Sequence, residues 1–293
     1  IVILDLELNL IYKSVEEYNI DNLREELQNL IYKSIVHGNV TKEQILGIGI
    51  AFPGIVNDRK LELEESPIVD IKAYSLEGLK EIFKIPVYIG NEADYAAYAE
   101  NLIGSSEKYK NSIYLSIHEG IGGGIILENA LYSGTLHHAG EIGHMVVDFK
   151  GRSCDCGRSG CWEKYVSSKI LTNLILENKL EEIKELLVIY KNKSNEKIYN
   201  QVDEYFNYLS LGIMNLFLIF DLDCIIIGGV LAPYQDLLQD VIIEKIKNEN
   251  CKLEKNAEKI IFPKLLSKAS AIGAGIVPLS NIYDFDLILK TMK

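Results

Sequence analysis

Four side chains with metal-binding chemistry lie close together near the middle of the sequence. His144 is followed by Cys154, Cys156 and Cys161, so one imidazole and three thiols occur within residues 144–161. One histidine with three cysteines is a closed zinc ligand set, and four protein ligands leave no position for a catalytic water. Two glycines between the last two cysteines let the loop turn tightly. The pattern predicts a structural zinc site, with free thiols in a loop as the alternative.

The composition limits which partners the chain can bind. The formal net charge is −12, and an acidic surface repels phosphate backbones, so direct DNA binding by this chain is not expected. The chain is expected to be cytoplasmic, and in a cytoplasmic protein the clustering of three of the five cysteines favours a metal site over disulfides. Cys224 and Cys251 are expected to be isolated thiols. No signal peptide is recognisable. The apolar stretch 211–227 is interrupted by Asp221 and Asp223, which favours a buried helix and strand over a membrane span.

The elements that position these residues are predicted from hydrophobic spacing and turn residues. The chain opens in a strand with no turn ahead of it, which predicts further residues upstream. A glycine-rich turn, 120–124, is expected to join two strands, and Asp21 is expected to cap a helix. The alternation of strands and helices along the sequence predicts a mixed sheet covered by helices. Strands are predicted over 1–4, 45–51, 87–89, 112–117, 124–127, 224–227 and 259–263, and helices over 21–37, 75–83, 92–102, about 167–220, 237–249 and from about 269.

The residues around the cysteines resemble the signature segment of the ROK (repressor, open reading frame, kinase) family. The resemblance rests on Ala-Gly-Glu-Ile-Gly-His at 139–144 and Gly-Cys-Trp-Glu at 160–163. Other matching segments follow in the expected order, at 47–54, at the helix after Asn91, and at 120–124, 227–229 and 271–275. The resemblance implies an α/β, actin-like ATPase (ribonuclease H-like) fold of two lobes with a sugar cleft between them, and a homodimer. The first lobe is expected to span 1–105 with the C-terminal helix 276–293, and the second 106–275 with the zinc loop 144–161.

The same resemblance implies a set of sugar contacts. Short polar and carboxylate side chains on rigid elements suit the hydroxyls of a monosaccharide. His144 would place one nitrogen on zinc and leave the other for a hydroxyl, so the zinc loop would hold Glu141 and Glu163 in place. The alternative is that these two glutamates are ordinary solvated carboxylates. The implied sugar-binding residues are Gly54, Asn91, Glu92, Glu141, His144 and Glu163.

Two positions depart from the pattern of ROK sugar kinases. Those kinases place an aspartate base after the asparagine, whereas Asn91 is followed by Glu92, whose extra methylene moves the carboxylate by about 1 Å. A phosphate turn of the family reads Gly-Thr-Gly, whereas residues 118–120 are His-Glu-Gly. A kinase would use Glu92 as base and ATP with Mg²⁺ as cofactors. Its nucleotide-binding residues would be Gly120, Gly122, Gly228, Gly229 and Gly273.

These features favour a regulator over an enzyme. The segments 91–93 (Asn-Glu-Ala) and 160–165 resemble the xylose-repressor branch and other NagC-type transcriptional regulators. The chain is therefore interpreted as the sugar-sensing and dimerisation portion of such a regulator, which would contact DNA only through an N-terminal domain absent from this chain. The first alternative is an ATP-dependent sugar kinase acting on a hexose or N-acetylhexosamine. The second is a zinc-stabilised dimer without a ligand.

Overall fold

The computed structural model describes residues 1–17, 19–66, 71–248 and 254–282. The described residues do not include Cys251, residues 67–70, the end of the helix expected at 237–249 or most of the helix expected at 276–293. The strands are β1 (Val2–Leu4), β2 (Leu10–Lys13), β3 (Ile48–Phe52), β4 (Ile55–Asn57), β5 (Glu62–Ser66), β6 (Ile71–Ser75), β7 (Val87–Asn91), β8 (Ser112–Ile117), β9 (Ile121–Leu127), β10 (Ala130–Leu131), β11 (Cys224–Ile227) and β12 (Ile260–Ile261). The helices are α1 (Leu23–His37), α2 (Gly78–Phe83), α3 (Glu92–Ile103), α4 (Glu163–Val166), α5 (Ser168–Asn178), α6 (Ile183–Asn192), α7 (Glu196–Phe220), α8 (Gln235–Asn248) and α9 (Ala269–Ile282).

The first compact unit comprises Ile1–Ala99 and Lys268–Lys293. Its described strands form an antiparallel β1–β2 hairpin, a parallel β3–β7 pair and an antiparallel β4–β5–β6 sheet. Leu63, Leu76, Leu79 and Phe83 are fully buried in its core. The parallel register places Phe52 opposite Asn91. As a result, the turn after β3, which contains Gly54, lies beside the end of β7.

The second unit, Glu100–Ser267, contains a five-stranded sheet in the order β10-β9-β8-β11-β12. β9 is antiparallel to β8, whereas β11 is parallel to both β8 and β12, which confirms the mixed sheet. Every residue of β8 and β11 is buried, as expected for strands covered on both faces. The long helix α7 contributes Phe206, Leu209 and Phe217 to the same core.

Trp162 anchors the cysteine segment to this core. The indole is fully buried, and its Nε1 donates a hydrogen bond to the carbonyl of Tyr208 on α7 at 2.7 Å. A Cβ at Gly212, one helical turn further on, would lie 1.9 Å from the indole ring. The glycine is needed because the ring packs directly against the α7 backbone. Because Trp162 is fixed against α7, the residue after it, Glu163, is also held in place.

Several boundaries differ from the sequence predictions. The helical stretch expected over about 167–220 is three helices, because Lys179 and Lys193 take left-handed conformations that end α5 and α6. The cap expected at Asp21 is wrong, since Asn19 accepts the backbone N–H of Asp21 and α1 begins at Leu23. The strand expected at 259–263 is reduced to β12. The segment between β3 and α2, which the sequence analysis left without strands, contains β4, β5 and β6.

The glycine run was also placed wrongly. Gly122 and Gly123 lie inside strand β9 and not in the turn before it. Only Gly120 belongs to the turn, where its carbonyl accepts the backbone N–H of His118 at 3.0 Å. The stretch 211–227 is a helix end followed by a strand, as predicted. Among the described helices, none combines the length and apolar character that a membrane crossing requires.

Candidate functional site

The four predicted metal ligands come together in the second unit. Two short antiparallel bridges, Val146–Cys161 and Ser153–Ser159, fold the loop back on itself. The Sγ atoms of Cys156 and Cys161 are 3.6 Å apart, and Cys154 Sγ is 3.6 Å from His144 Nδ1. All four donor atoms lie within 4.8 Å of one another. The cluster is therefore a candidate metal centre made of one nitrogen and three sulfurs.

The donor set fits a tetrahedral ion. Zinc bonds of about 2.3 Å to sulfur and 2.0 Å to nitrogen place the ligand atoms of a tetrahedron roughly 3.4–3.8 Å apart, close to the 3.6 Å contacts. Cys154 and Cys161 are buried, His144 is half-buried and Cys156 is exposed. The buried cysteines would shield a bound ion from solvent on one side, whereas the exposed Cys156 would leave it accessible to solvent on the other.

Two cations beside the cluster were not identified from the sequence. The side chain of Arg158 donates to the carbonyl of His144 at 3.0 Å and also hydrogen-bonds the sulfur of Cys156. Lys164 Nζ lies 3.7 Å from Glu163 Oε1 and 2.6 Å from Asp155 Oδ2. Three thiolates and one imidazole around a divalent ion carry a net negative charge, which these cations offset. An arginine inside the Cys-Gly-Arg-Ser-Gly-Cys run was the signal that could have revealed this.

The three thiols differ in acidity without a metal. Burial raises the pKa of Cys154 to about 12. A hydrogen bond from the Arg158 backbone lowers the pKa of Cys156 to about 6, with the Arg158 side chain adding to the effect. Burial also raises the pKa of Cys161. Because metal binding requires thiolates, an ion at this site must displace protons mainly from the two buried cysteines.

His144 connects the cluster to the two glutamates. Its Nδ1 faces the sulfurs, while Nε2 lies 3.9 Å from Glu141 Oε2. Glu163 Oε1 is 3.9 Å from Nδ1 and accepts a hydrogen bond from Cys154 Sγ at 3.2 Å. A Cβ at Gly120 would be 3.3 Å from the other Glu163 oxygen. The structure therefore places Glu141, His144, Glu163 and the 118–120 turn in one group.

Close backbone contact holds the Glu141 segment against the sheet. The Gly123 N–H on β9 donates to the Gly140 carbonyl at 2.8 Å. Gly140 has φ of +95°, and a Cβ there would lie 2.0 Å from the Gly123 carbonyl oxygen. Glycine is required at Gly140 for both reasons. The turn that follows, Ile142–His144, directs Glu141 and His144 from a fixed backbone.

The other predicted sugar contacts form a second group, in the first unit. Asn91 Nδ2 donates to the carbonyl of Gly54 at 2.8 Å, and its Oδ1 accepts the backbone N–H of Ala93 at 2.7 Å. Gly54 has φ of +121°. The amide of Asn91 therefore joins the turn after β3 to the start of α3. Glu92, the first residue of α3, is half-buried.

The glycines assigned to a nucleotide have packing roles. A Cβ at Gly228 would lie 2.3 Å from the Tyr114 ring, and one at Gly229 would lie 2.0 Å from the Ile117 carbonyl. Gly273 on α9 packs equally closely on the backbone of α3. Glu119, in the His-Glu-Gly turn at 118–120, pairs with Lys169 at 3.2 Å. These glycines therefore give no separate support for a nucleotide site.

Comparison with known proteins identifies the family. The ROK family model matches residues 1–279. This chain belongs to the ROK family. The family resemblance read from residues 139–163 is thus confirmed, and the described architecture is the α/β, actin-like ATPase fold of ROK proteins.

Relatives of this ROK chain include both regulators and kinases. A xylose repressor from Bacillus spizizenii is 27% identical, with 97% of this chain and 74% of the repressor covered. A ROK hexokinase from Thermus thermophilus has a similar structure, with a TM-score of 0.78 at 23% identity over 94% of this chain and 93% of the hexokinase. A ROK transcriptional regulator that is a homologue of the E. coli MLC protein gives a TM-score of 0.77 at 23% identity, over 91% of this chain and 70% of the regulator. At that identity the two structural likenesses support the fold alone.

Proposed function

We propose that this chain is the sugar-sensing and dimerisation portion of a cytoplasmic ROK-family transcriptional regulator with a structural zinc ion. The observation that carries the proposal is the orientation of His144, whose Nδ1 faces the sulfurs while Nε2 faces Glu141. Zinc held by His144, Cys154, Cys156 and Cys161 would fix the imidazole. Its chemistry would be structural, because all four coordination positions would be protein ligands.

The ligand in this proposal is a monosaccharide or a derivative of one. Glu141, His144 and Glu163 are proposed to bind sugar hydroxyls, and Gly54, Asn91 and Glu92 are also proposed sugar contacts. Carboxylates are strong acceptors for hydroxyl donors, and the imidazole Nε2 can donate or accept. Because the Asn91 amide already bonds Gly54 and the start of α3, its contribution would be to shape the turn as much as to contact the ligand.

The regulatory reading is supported by two features. The xylose repressor covers 97% of this chain, and the residue after Asn91 is Glu92, where ROK kinases would be expected to place aspartate. In the proposed mechanism, sugar binding shifts the population of two conformations in a homodimer, and that change reaches a DNA-binding domain outside this chain.

The direct test is calorimetric titration of the homogeneous chain with D-xylose, D-glucose and N-acetyl-D-glucosamine, combined with sedimentation equilibrium. We expect one of the three sugars to bind at one site per chain of a dimeric protein. Adding ATP and Mg²⁺ should not change that sugar binding. No heat of binding with any of the three sugars, for a chain that is folded and metal-loaded, would argue against sensing of these sugars and favour the ligand-free dimer.

A sugar kinase is the second candidate, and it is favoured by a glucokinase from Streptomyces coelicolor that is 29% identical, with 73% of this chain and 74% of the glucokinase covered. In that case Glu92 would accept the proton of the attacking hydroxyl, and ATP with Mg²⁺ would supply the phosphoryl group. ADP release coupled to the same three sugars measures this activity. Turnover that is lost in Glu92→Gln but retained in Asp94→Asn, a change on the same first turn of α3, would establish the kinase and overturn the sensor.

A further inference from the structure

A fully buried carboxylate lies outside the candidate site. Among the described Asp, Glu, Lys and Arg side chains, Glu100 on α3 is the one that is buried, with 0% exposure. Its Oε2 accepts the backbone N–H groups of Ser105 at 2.6 Å and Lys264 at 3.2 Å. Its Oε1 accepts the N–H of Leu265 at 2.7 Å. All three donors are backbone groups, so the carboxylate is held by the main chain.

Glu100 occupies a special position in the path of the chain. The chain leaves the first unit between Ala99 and Glu100 and returns to it between Ser267 and Lys268. Glu100 is therefore the first residue after one crossing, and two of its donors lie just before the other. A second bond joins the same segments, from Lys264 Nζ to the carbonyl of Ile103 at 3.3 Å.

Packing alone does not explain a carboxylate at this position. Removing a charge from water is costly unless hydrogen bonds replace those to water, and an apolar residue would fill the space without that cost. Three N–H donors on one carboxylate supply the replacement. They also hold Glu100 next to Lys264 and Leu265, which are 164 and 165 residues further along the sequence.

We propose that Glu100 is a hinge clamp: its carboxylate ties the two chain crossings together, so that they move as one joint instead of two independent linkers. Glu100 is thus a positioning residue, held by three backbone N–H groups. The clamp is separate from sugar sensing and would operate whether the chain senses or phosphorylates a sugar.

Helix α3 gives the clamp a connection to the candidate site. The helix begins at Glu92, next to Asn91, and Glu100 lies eight residues further along the same helix, roughly 12 Å away at 1.5 Å per residue. A displacement at the start of α3 would therefore reach the clamp through a rigid element. If the proposed function is correct, the clamp converts a local change at Asn91 and Glu92 into one defined motion.

The test compares Glu100→Gln with Asn101→Ala in the full chain. Gln is nearly isosteric, but its amide nitrogen cannot accept, so at least one of the three N–H bonds is lost. Asn101 is a matched control because it is buried on the same helix, and its Nδ2 bonds the Tyr109 carbonyl at 3.0 Å, away from the second crossing. Glu100→Asp, which keeps the charge and shortens the reach, replaces Gln if that variant does not fold.

Two readouts do not require a sugar. Hydrogen exchange should become at least tenfold faster for the amides of Ser105, Lys264 and Leu265 in Glu100→Gln, with no change there in Asn101→Ala. Single-molecule energy transfer should show a broader distance distribution between the units. The dyes would be attached to p-acetylphenylalanine in place of the exposed Glu81 and Lys184, because thiol dyes would react with exposed Cys156.

Retained protection at Lys264 and Leu265 in both Glu100 variants would overturn the clamp. So would a distance distribution as narrow as that of the native chain, or equal broadening in Asn101→Ala. D-xylose, D-glucose and N-acetyl-D-glucosamine, added in turn to the same samples, separate the two proposals. A chain that binds no sugar, yet shows faster exchange and broader distances in Glu100→Gln, would refute the sensor and support the clamp.

Discussion

The carboxylate of Glu163 lies 3.2 Å from the sulfur of Cys154, so a proposed sugar-binding group and a proposed metal ligand are in direct contact. Glu163 opens helix α4 immediately after the buried Trp162. The metal cluster and the glutamate are therefore held by the same backbone. Loss of the ion should disturb both the fold of the loop and the position of the carboxylate.

Removing the metal is expected to reduce stability and sugar binding together. Cys156→Ser, or a chelator, should lower the melting temperature and weaken sugar affinity by about 10–100-fold, the usual effect of losing groups that support a site. Metal content by mass spectrometry, melting and calorimetry measure the three quantities. Ser159→Ala, in the same loop, is the control and should change none of them. Unchanged sugar affinity in the metal-free protein would show that the loop does not position Glu141 and Glu163.

Loss of a sugar-binding carboxylate should separate binding from metal retention. Glu141→Ala removes the group facing His144 Nε2 but no metal ligand. We expect sugar binding to weaken by about 1–3 kcal/mol, as for a lost hydrogen bond to a charged group, with full metal content. Titration calorimetry and metal analysis on the same sample measure this. Equal sugar affinity in the native and variant proteins would identify Glu141 as an ordinary solvated carboxylate.

The sequence was most informative where chemistry requires particular residue types. A histidine and three cysteines define a metal site by their ligand atoms, and the structure places all four together. The mixed sheet was predicted from apolar runs such as residues 112–117. By contrast, Lys179 and Lys193 end two helices in left-handed conformations. Lysine does not predict this conformation, because glycine and asparagine are the usual residues at such helix ends. Strand β5, Glu-Leu-Glu-Glu-Ser, was missed because three of its five residues are glutamates and its two buried residues, Leu63 and Ser66, do not alternate.

Glycine positions were the least predictable part of the site. Gly122 and Gly123 were placed in a turn because glycine favours turns, yet they lie in a strand. A Cβ at Gly123 would be 2.6 Å from Ile142 Cδ1. The need for glycine there arises from a neighbour about 20 residues away in sequence, and such long-range contacts leave no local pattern.

Adding a methyl group at Gly140 should test how closely the site segment must approach the sheet. Gly140→Ala introduces both a strained φ of +95° and a clash with the Gly123 carbonyl. We expect a loss of about 2–4 kcal/mol in the free energy of unfolding. Gly157→Ala is the matched control, because its φ is +85° but nothing lies within 4 Å of the added carbon. Its cost should be about 1 kcal/mol.

Urea denaturation of the two glycine variants measures these losses, and sugar titration shows whether the site moved. Only Gly140→Ala should weaken sugar binding, since only that substitution displaces the backbone that carries Glu141 and His144. Equal destabilisation by the two substitutions would mean that φ strain, and not the close approach to β9, is what requires glycine at Gly140.

A polar network remote from the site should make stability depend on pH. Asp203 on α7 accepts hydrogen bonds from Lys245 Nζ at 2.6 Å and from the Tyr190 hydroxyl at 2.8 Å. Burial by itself would raise the pKa of Asp203, but these two donors outweigh it and lower the pKa below its ordinary value. The ionised form is thus favoured in the folded protein. Its contribution is present above the unfolded-state pKa of about 3.9 and is lost as pH falls through the lower folded-state pKa.

Asp203→Asn should therefore cost about 1 kcal/mol near pH 7, and the difference from the native chain should shrink below about pH 4. Urea denaturation between about pH 3 and pH 7 measures this difference. pH effects that the two proteins share cancel in the difference between them, so this difference is more informative than either curve. Asp240→Asn, at an exposed position on α8, should show no such trend. A difference that stays constant down to about pH 3 would mean that the cost of the substitution does not depend on the charge of Asp203.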